Sequence, residues 1–123
     1  VEVLAKDEKH KAILEQLVSI DEGARQLGEV ALVPFNSPVN ETGILFYNTL
    51  FDENACCHLA IGMGFEDTIK GFETMTPEQI KAFDLNDSII HVDFMIGSAD
   101  LSIVATTRDG KQVQIFENGT WAI

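Results

Sequence analysis

Two dipeptides near the end of the chain, Asp109-Gly110 and Asn118-Gly119, constrain its fold more than any other feature. Asp-Gly and Asn-Gly are the preferred tight turns between antiparallel strands, because both central positions then tolerate a left-handed backbone. They separate "LSIVATT", "KQVQIF" and "TWAI", each rich in β-branched or aromatic residues. The segment before them, residues 89 to 96, reads as a further strand, so everything from Ser88 onward is expected to form an antiparallel meander. The preceding residues are expected to hold several helices and two strands. Residues 6–18 place Ile13, Leu14, Leu17 and Val18 on one helical face. Ser19 and Glu22 have the spacing of a capping box for a short second helix. "TPEQIKAF" begins with threonine at the cap, proline at the first helical position and glutamine at the third. "EVALVPF" (29–35) and "ILFYN" (44–48) read as strands, and "TLFDENACCHLAIGMG" as a helix closed by Gly62 and Gly64. The expected fold class is α+β, with helices packed against a C-terminal antiparallel meander. Residues 1–123 are expected to form a single unit.

Composition narrows the functional classes. With 20 Asp and Glu against 8 Lys and Arg, the net charge is −12. Such a field repels phosphate backbones, so nucleic acid is not an expected partner. Apolar runs stay far below the ~20 residues that a spanning helix needs, so no membrane partner is expected either. Cys56 and Cys57 are adjacent. Neighbouring cysteines rarely bridge without strain, which points to buried thiols and a reducing, cytoplasmic setting. The chain opens "VEVLAKDEKH", without an initiator methionine, like a strand entered mid-stream, and is expected to be part of something longer.

The segment "SIIHVDFMIG" (88–97) carries His91 and Asp93 inside an otherwise apolar run. On a strand these two side chains project to the same face, and a buried histidine and carboxylate both need partners. Glu29, Glu53 and His58 complete a short list of candidate ligands. Glu53 and His58 are five apart, about 140° round a regular helix, so they converge only if Glu53 precedes that helix or opens it. Three carboxylates and two imidazoles suit zinc, cobalt or manganese, and a carboxylate-rich set also suits two ions about 3.5–4 Å apart. Each residue has an ordinary structural reading as well. Glu29 fits a solvated strand start, Glu53 a helix-dipole partner, His58 an ordinary surface or core histidine, and His91 with Asp93 a self-satisfied pair. His10, among charged neighbours, is expected to be solvated.

The segments "DEGARQLGEVALVP", "ILFYNTLFDENACCHLAIG" and "NDSIIHVDFMIGSADL", with the terminal "DGK…IFENGTWAI", resemble the dinuclear metallo-aminopeptidases of the aminopeptidase T, aminopeptidase S and PepS type. The motifs occur in order and at matching spacing over nearly the whole chain. The resemblance implies a C-terminal part of such an enzyme, with the upstream part of the catalytic domain missing. It implies Glu29 as the bridging ligand, with Glu53, His58, His91 and Asp93 as further ligands to two divalent ions. It also implies peptide substrates and a homodimer. Two departures stand out. One more family glutamate lies upstream of Val1, and Phe65 occupies the position of a tyrosine seven residues after the family histidine matched by His58. The competing expectation is a catalytically incomplete piece that serves only to bind metal or to dimerise.

Overall fold

The computed structural model describes residues 1–123. The chain divides into two compact units, residues 1–30 with 60–93 and residues 31–59 with 94–123. Its helices are short: α1 (Glu8–Leu17), α2 (Pro38–Glu41), α3 (Thr49–Asp52) and α4 (Pro77–Lys81). Strands β1 (Leu27–Ala31), β2 (His58–Gly62) and β3 (His91–Met95) make one sheet in that order, with β2 central. Strands β4 (Ile103–Thr106), β5 (Gln112–Glu117) and β6 (Thr120–Trp121) make a second. The architecture is α+β. No helix is long and apolar enough to cross a membrane.

In the first unit, Asp7 caps α1 by accepting the His10 amide at 2.9 Å. Of the expected apolar face, Val18 is buried while Ile13 and Leu14 stay exposed. The expected Ser19–Glu22 capping box does not form, and Gly23–Arg25 is a 3₁₀ turn with no side-chain bond from Glu22. Asp21 fills that need instead. One carboxylate oxygen takes the Ala24 amide at 2.8 Å, and the other takes the Ile89 amide at 2.9 Å and the Ser88 hydroxyl at 3.0 Å. These donors, the Ile89 amide foremost, hold the Asp21 carboxyl below its ordinary pKa. α4 forms with the expected capping box between Thr76 and Gln79 and Pro77 at its start.

The strand expected at 29–35 is β1, beginning two residues earlier and ending at Ala31, well short of Pro34, whose missing amide cannot join a ladder. In the β2–β3 pair, Met63 N donates to Ile90 O at 2.7 Å, and Ile96 N donates to Cys57 O at 3.0 Å. Partner numbers fall as strand numbers rise, so the pair is antiparallel.

The second unit corrects three expectations. The helix expected over 49–64 is only α3 and a 3₁₀ turn, Glu53–Ala55, after which the chain extends into β2. No strand forms over 44–48. Asp52 there takes the Phe46 and Asn48 amides at 2.8 and 2.9 Å, and Tyr47 lies at a left-handed φ of 56°. The meander holds three strands, not four, because β3 pairs in the other sheet. Asn118-Gly119 matches its signal, with φ of 51° and 72°, whereas at Asp109-Gly110 only the glycine is left-handed, at 85°, and Thr107 N closes a wider turn on Lys111 O at 2.8 Å. β4 and β5 are antiparallel, from Ile103 opposite Phe116 to Thr106 opposite Gln112. Phe116 is fully buried with its ring 4.4 Å from that of Trp121.

Candidate metal centre

Glu29 sits on β1, while His91 and Asp93 sit on β3. The two strands flank β2, so their axes lie about two strand spacings, or ~10 Å, apart. Long side chains on one face close that gap. His91 Nε2 lies 3.3 Å from Glu29 Oε2 and 3.2 Å from Asp93 Oδ1. One donor atom from each residue falls within 4.8 Å of the other two. Asp93 is the most enclosed of the three side chains, at 9% exposed, against 17% for His91 and 30% for Glu29. The expected common face for His91 and Asp93 is therefore present, and Glu29 joins it.

Hydrogen bonding fixes what this cluster presents. His91 Nδ1 lies 2.8 Å from the Met63 carbonyl oxygen, which only accepts, so Nδ1 carries the proton. A neutral His91 then points its Nε2 lone pair at two carboxylate oxygens. Asp93 Oδ1 is buried with no hydrogen-bond donor. Three electron-rich atoms converging around a buried acceptor fit a cation, and a ligand histidine steadied through its other nitrogen is the usual support for one. The residues present therefore suit a divalent ion held by nitrogen and oxygen donors.

Glu53 and His58 belong to the second unit. Glu53 follows α3 at the start of a 3₁₀ turn, and His58 opens β2, 2% exposed. His58 Nδ1 faces the Cys56 carbonyl oxygen at 3.0 Å, which fixes the same tautomer as in His91. A strand, not the expected helix, thus carries His58. The cysteines are free and buried, and Cys57 Sγ lies 3.2 Å from the Val33 carbonyl oxygen. Burial pushes the Cys56 thiol up, away from the thiolate a metal would need. His10 is exposed and pairs with Asp7 at 2.7 Å. Phe65, at the position of the family's tyrosine, lies tilted against His91 with ring centroids 4.7 Å apart.

An α+β fold that brings a histidine and two carboxylates from the two outer strands of one sheet around one point has the donor set of a metalloprotein. Comparison with known proteins makes that class specific. Residues 1–121 match the family described as thermophilic metalloprotease (M29), and the chain belongs to that family. Aminopeptidase AmpS of Bacillus subtilis is 56% identical over 117 residues, covering 95% of this chain and 28% of that protein. Aminopeptidase T of Thermus thermophilus is 41% identical over 123 residues, covering 100% of this chain and 29% of that protein. The solved structure of wild-type AmpT from Thermus thermophilus superposes with a TM-score of 0.77 at 40% identity, over 94% of this chain and 28% of that one. The chain thus spans a little over a quarter of the length of these relatives.

Proposed function

We propose that this chain is the C-terminal part of a longer metal-dependent aminopeptidase, which releases N-terminal residues from peptides through a dinuclear site. The observation that carries the reading is the convergence of Glu29, His91 and Asp93 around the donor-less oxygen of Asp93. Glu53 and His58 complete the ligand set by the likeness of their motif, and the fixed tautomer of His58 supports its inclusion. Zinc, cobalt or manganese would suit these donors, with Glu29, Glu53, His58, His91 and Asp93 as the residues that would hold the ions. A divalent ion bound there supplies Lewis acidity toward a peptide carbonyl and toward a water molecule.

The protein's own groups do the rest. The Met63 carbonyl keeps the His91 lone pair aimed inward, and the Phe65 ring limits rotation of the imidazole. The carboxylates favour the cationic α-amine of a peptide over an internal amide, which suits an exopeptidase. The proposal extends to peptide substrates, in line with the relatives' names, to a cytoplasmic setting, in line with the free cysteines, and to the homodimer that the resemblance implies.

The test is metal stoichiometry on the purified chain after cobalt or zinc loading, beside His91→Ala. About two equivalents, lost in the variant, are expected if the five residues suffice for a dinuclear site. One weak equivalent or none overturns that sufficiency. In the full-length protein, Asp93→Ala should abolish hydrolysis of a leucine or arginine chromogenic amide, and unchanged turnover defeats the assignment.

A further inference from the structure

Met63, whose carbonyl aims His91, lies between Gly62 and Gly64, and Gly62 has a left-handed φ of 96°. Glycine restrains its own backbone least of all residues, so the peptide planes on either side of Met63 keep their orientation through hydrogen bonds. In the plane before it, the Met63 amide donates to Ile90 O at 2.7 Å, and the Gly62 carbonyl accepts from Asn86 Nδ2 at 2.6 Å. In the plane after it, the Met63 carbonyl accepts from His91 Nδ1 at 2.8 Å, and the Gly64 amide donates to Asn86 O at 2.8 Å. Asn86 thus holds one end of each plane. Its own place is fixed by a second bond from Nδ2, to Gly23 O at 2.8 Å. Both carbonyls that Nδ2 serves belong to buried glycines. Two donors on one nitrogen are what this position requires, and neither aspartate nor leucine, its nearest matches in size, supplies them.

We infer that Asn86 is a positioning residue for the metal centre, acting through the Met63 carbonyl to keep His91 Nε2 aimed at the point it shares with Glu29 and Asp93. The inference rests on the metal-centre reading above. Without the Asn86 amide, the Gly62 carbonyl loses its donor, and the plane before Met63 is held only at its Ile90 end. That plane can then turn about the glycine, the Met63 carbonyl turns with it, and the imidazole loses the acceptor that orients it. All of these groups lie within the first unit.

The test uses the full-length protein and Asn86→Leu, which matches asparagine in size and carries no donor. Phe116→Ala, in the second unit, loses core packing instead and is the control for lost stability. Zinc affinity is measured by chelator competition at a temperature where urea curves show each protein fully folded. Asn86→Leu should bind zinc about ten-fold more weakly, at the lower end of the effect of losing an outer partner of a ligand, and Phe116→Ala should match wild type. In metal-free, ¹⁵N-histidine-labelled protein, the His91 Nδ1 proton, assigned by its loss in His91→Ala, should exchange with water about ten-fold faster in Asn86→Leu. Wild-type zinc affinity in Asn86→Leu, or a loss equalled by Phe116→Ala, overturns the inference. Asn86→Ser leaves room for a water at the two carbonyls and replaces the leucine variant if that one does not fold; zinc affinity and proton exchange both at wild-type level in it refute the inference equally. If wild type binds no zinc, the metal reading fails separately, and proton exchange alone decides: faster exchange supports Asn86 as the residue that positions His91, and unchanged exchange refutes it.

Discussion

Gly28→Ala is the sharpest perturbation the site offers. A Cβ at Gly28 would lie 2.3 Å from the carbonyl oxygens of both Gly62 and Met63, and 2.6 Å from the Met63 carbonyl carbon. Even a close carbon–oxygen contact runs to about 3.3–3.6 Å, so the overlap is about 1 Å on two atoms. These are main-chain atoms, and the chain there is pinned. Gly62 N donates to Gln26 O at 2.9 Å, Met63 N to Ile90 O at 2.7 Å, and Gly64 N to Asn86 O at 2.8 Å. Overpacking that side chains can absorb costs about 1–3 kcal/mol, and backbone that cannot rotate away puts this substitution at the top of that range, about 3 kcal/mol.

The displaced Met63 carbonyl is also the acceptor that aims His91, so metal binding should weaken with stability. Loss of such a supporting bond typically costs about 10–100-fold in metal affinity. Urea denaturation and calorimetric metal titration read the two effects separately. Gly43→Ala is the control. Its φ of +63° brings left-handed strain of about 1–2 kcal/mol, but nothing lies within 4 Å of the added Cβ, and Gly43 is far in sequence from every triad residue. The reasoning fails if Gly28→Ala loses no more stability than Gly43→Ala. It also fails if Gly28→Ala destabilises the fold while zinc affinity stays level.

Three further outcomes follow from other parts of the structure. Phe116→Ala removes a fully buried ring stacked on Trp121 and should cost about 3–5 kcal/mol in urea denaturation, whereas a loss under about 1 kcal/mol would mean the meander has no core there. Asp21 has its carboxyl held below the usual range by the Ile89 amide, with help from the Ser88 hydroxyl and the Ala24 amide, so its contribution is present above about pH 4 and lost as pH falls through the lower folded value. Melting curves of Asp21→Asn should accordingly show a shallower acid-side decline than wild type, and parallel curves would remove Asp21 from the acid response. Cys56 and Cys57 are 7% and 0% exposed, so an aromatic disulfide reagent should release no thiol signal from the native chain and two equivalents in denaturant; fast native labelling would contradict that burial.

What could be read from the sequence depended on whether a signal was local. The Asn118-Gly119 turn and the Thr76–Gln79 cap are decided by neighbouring residues, and both formed as expected. His91 and Asp93 share a face because alternation on a strand is itself local. β2 failed for the opposite reason. "CCHLAIG" is apolar apart from His58, and a strand whose side chains are nearly all buried shows no period of two to distinguish it from a buried helix. The run "ILFYN" is strand-like in composition, yet Asp52 takes the amides at 46 and 48 that a ladder would have used. That β3 leaves the meander depends on close approach between distant residues. A Cβ on Gly97 would lie 2.6 Å from Cys56 Cβ and 2.7 Å from Cys57 N, a juxtaposition that no spacing rule encodes. Phe65 was overlooked as a support for His91 because its partner is 26 positions away.

The electrostatics of the triad decide what kind of occupant it suits. With Nδ1 committed to the Met63 carbonyl, the cluster can gain one proton on Nε2, and that proton can lie along only one of the two directions, toward Glu29 or toward Asp93. The imidazolium form therefore leaves two carboxylates against one positive charge, with one acceptor poorly served. Asp93 Oδ1, buried and without a hydrogen-bond donor, is the atom that bears this cost. At an effective dielectric of about 20, a unit charge ~3.3 Å from a carboxylate oxygen interacts by roughly 5 kcal/mol, so the missing second charge is not a small term. A divalent ion balances both carboxylates and takes the lone pair of His91 without choosing between them. The same backbone carbonyl that keeps a proton on Nδ1 thus biases the site toward a doubly charged occupant. That bias is why the geometry of one main-chain oxygen, and the glycine beside it, should matter to metal affinity as much as the ligands' own positions do.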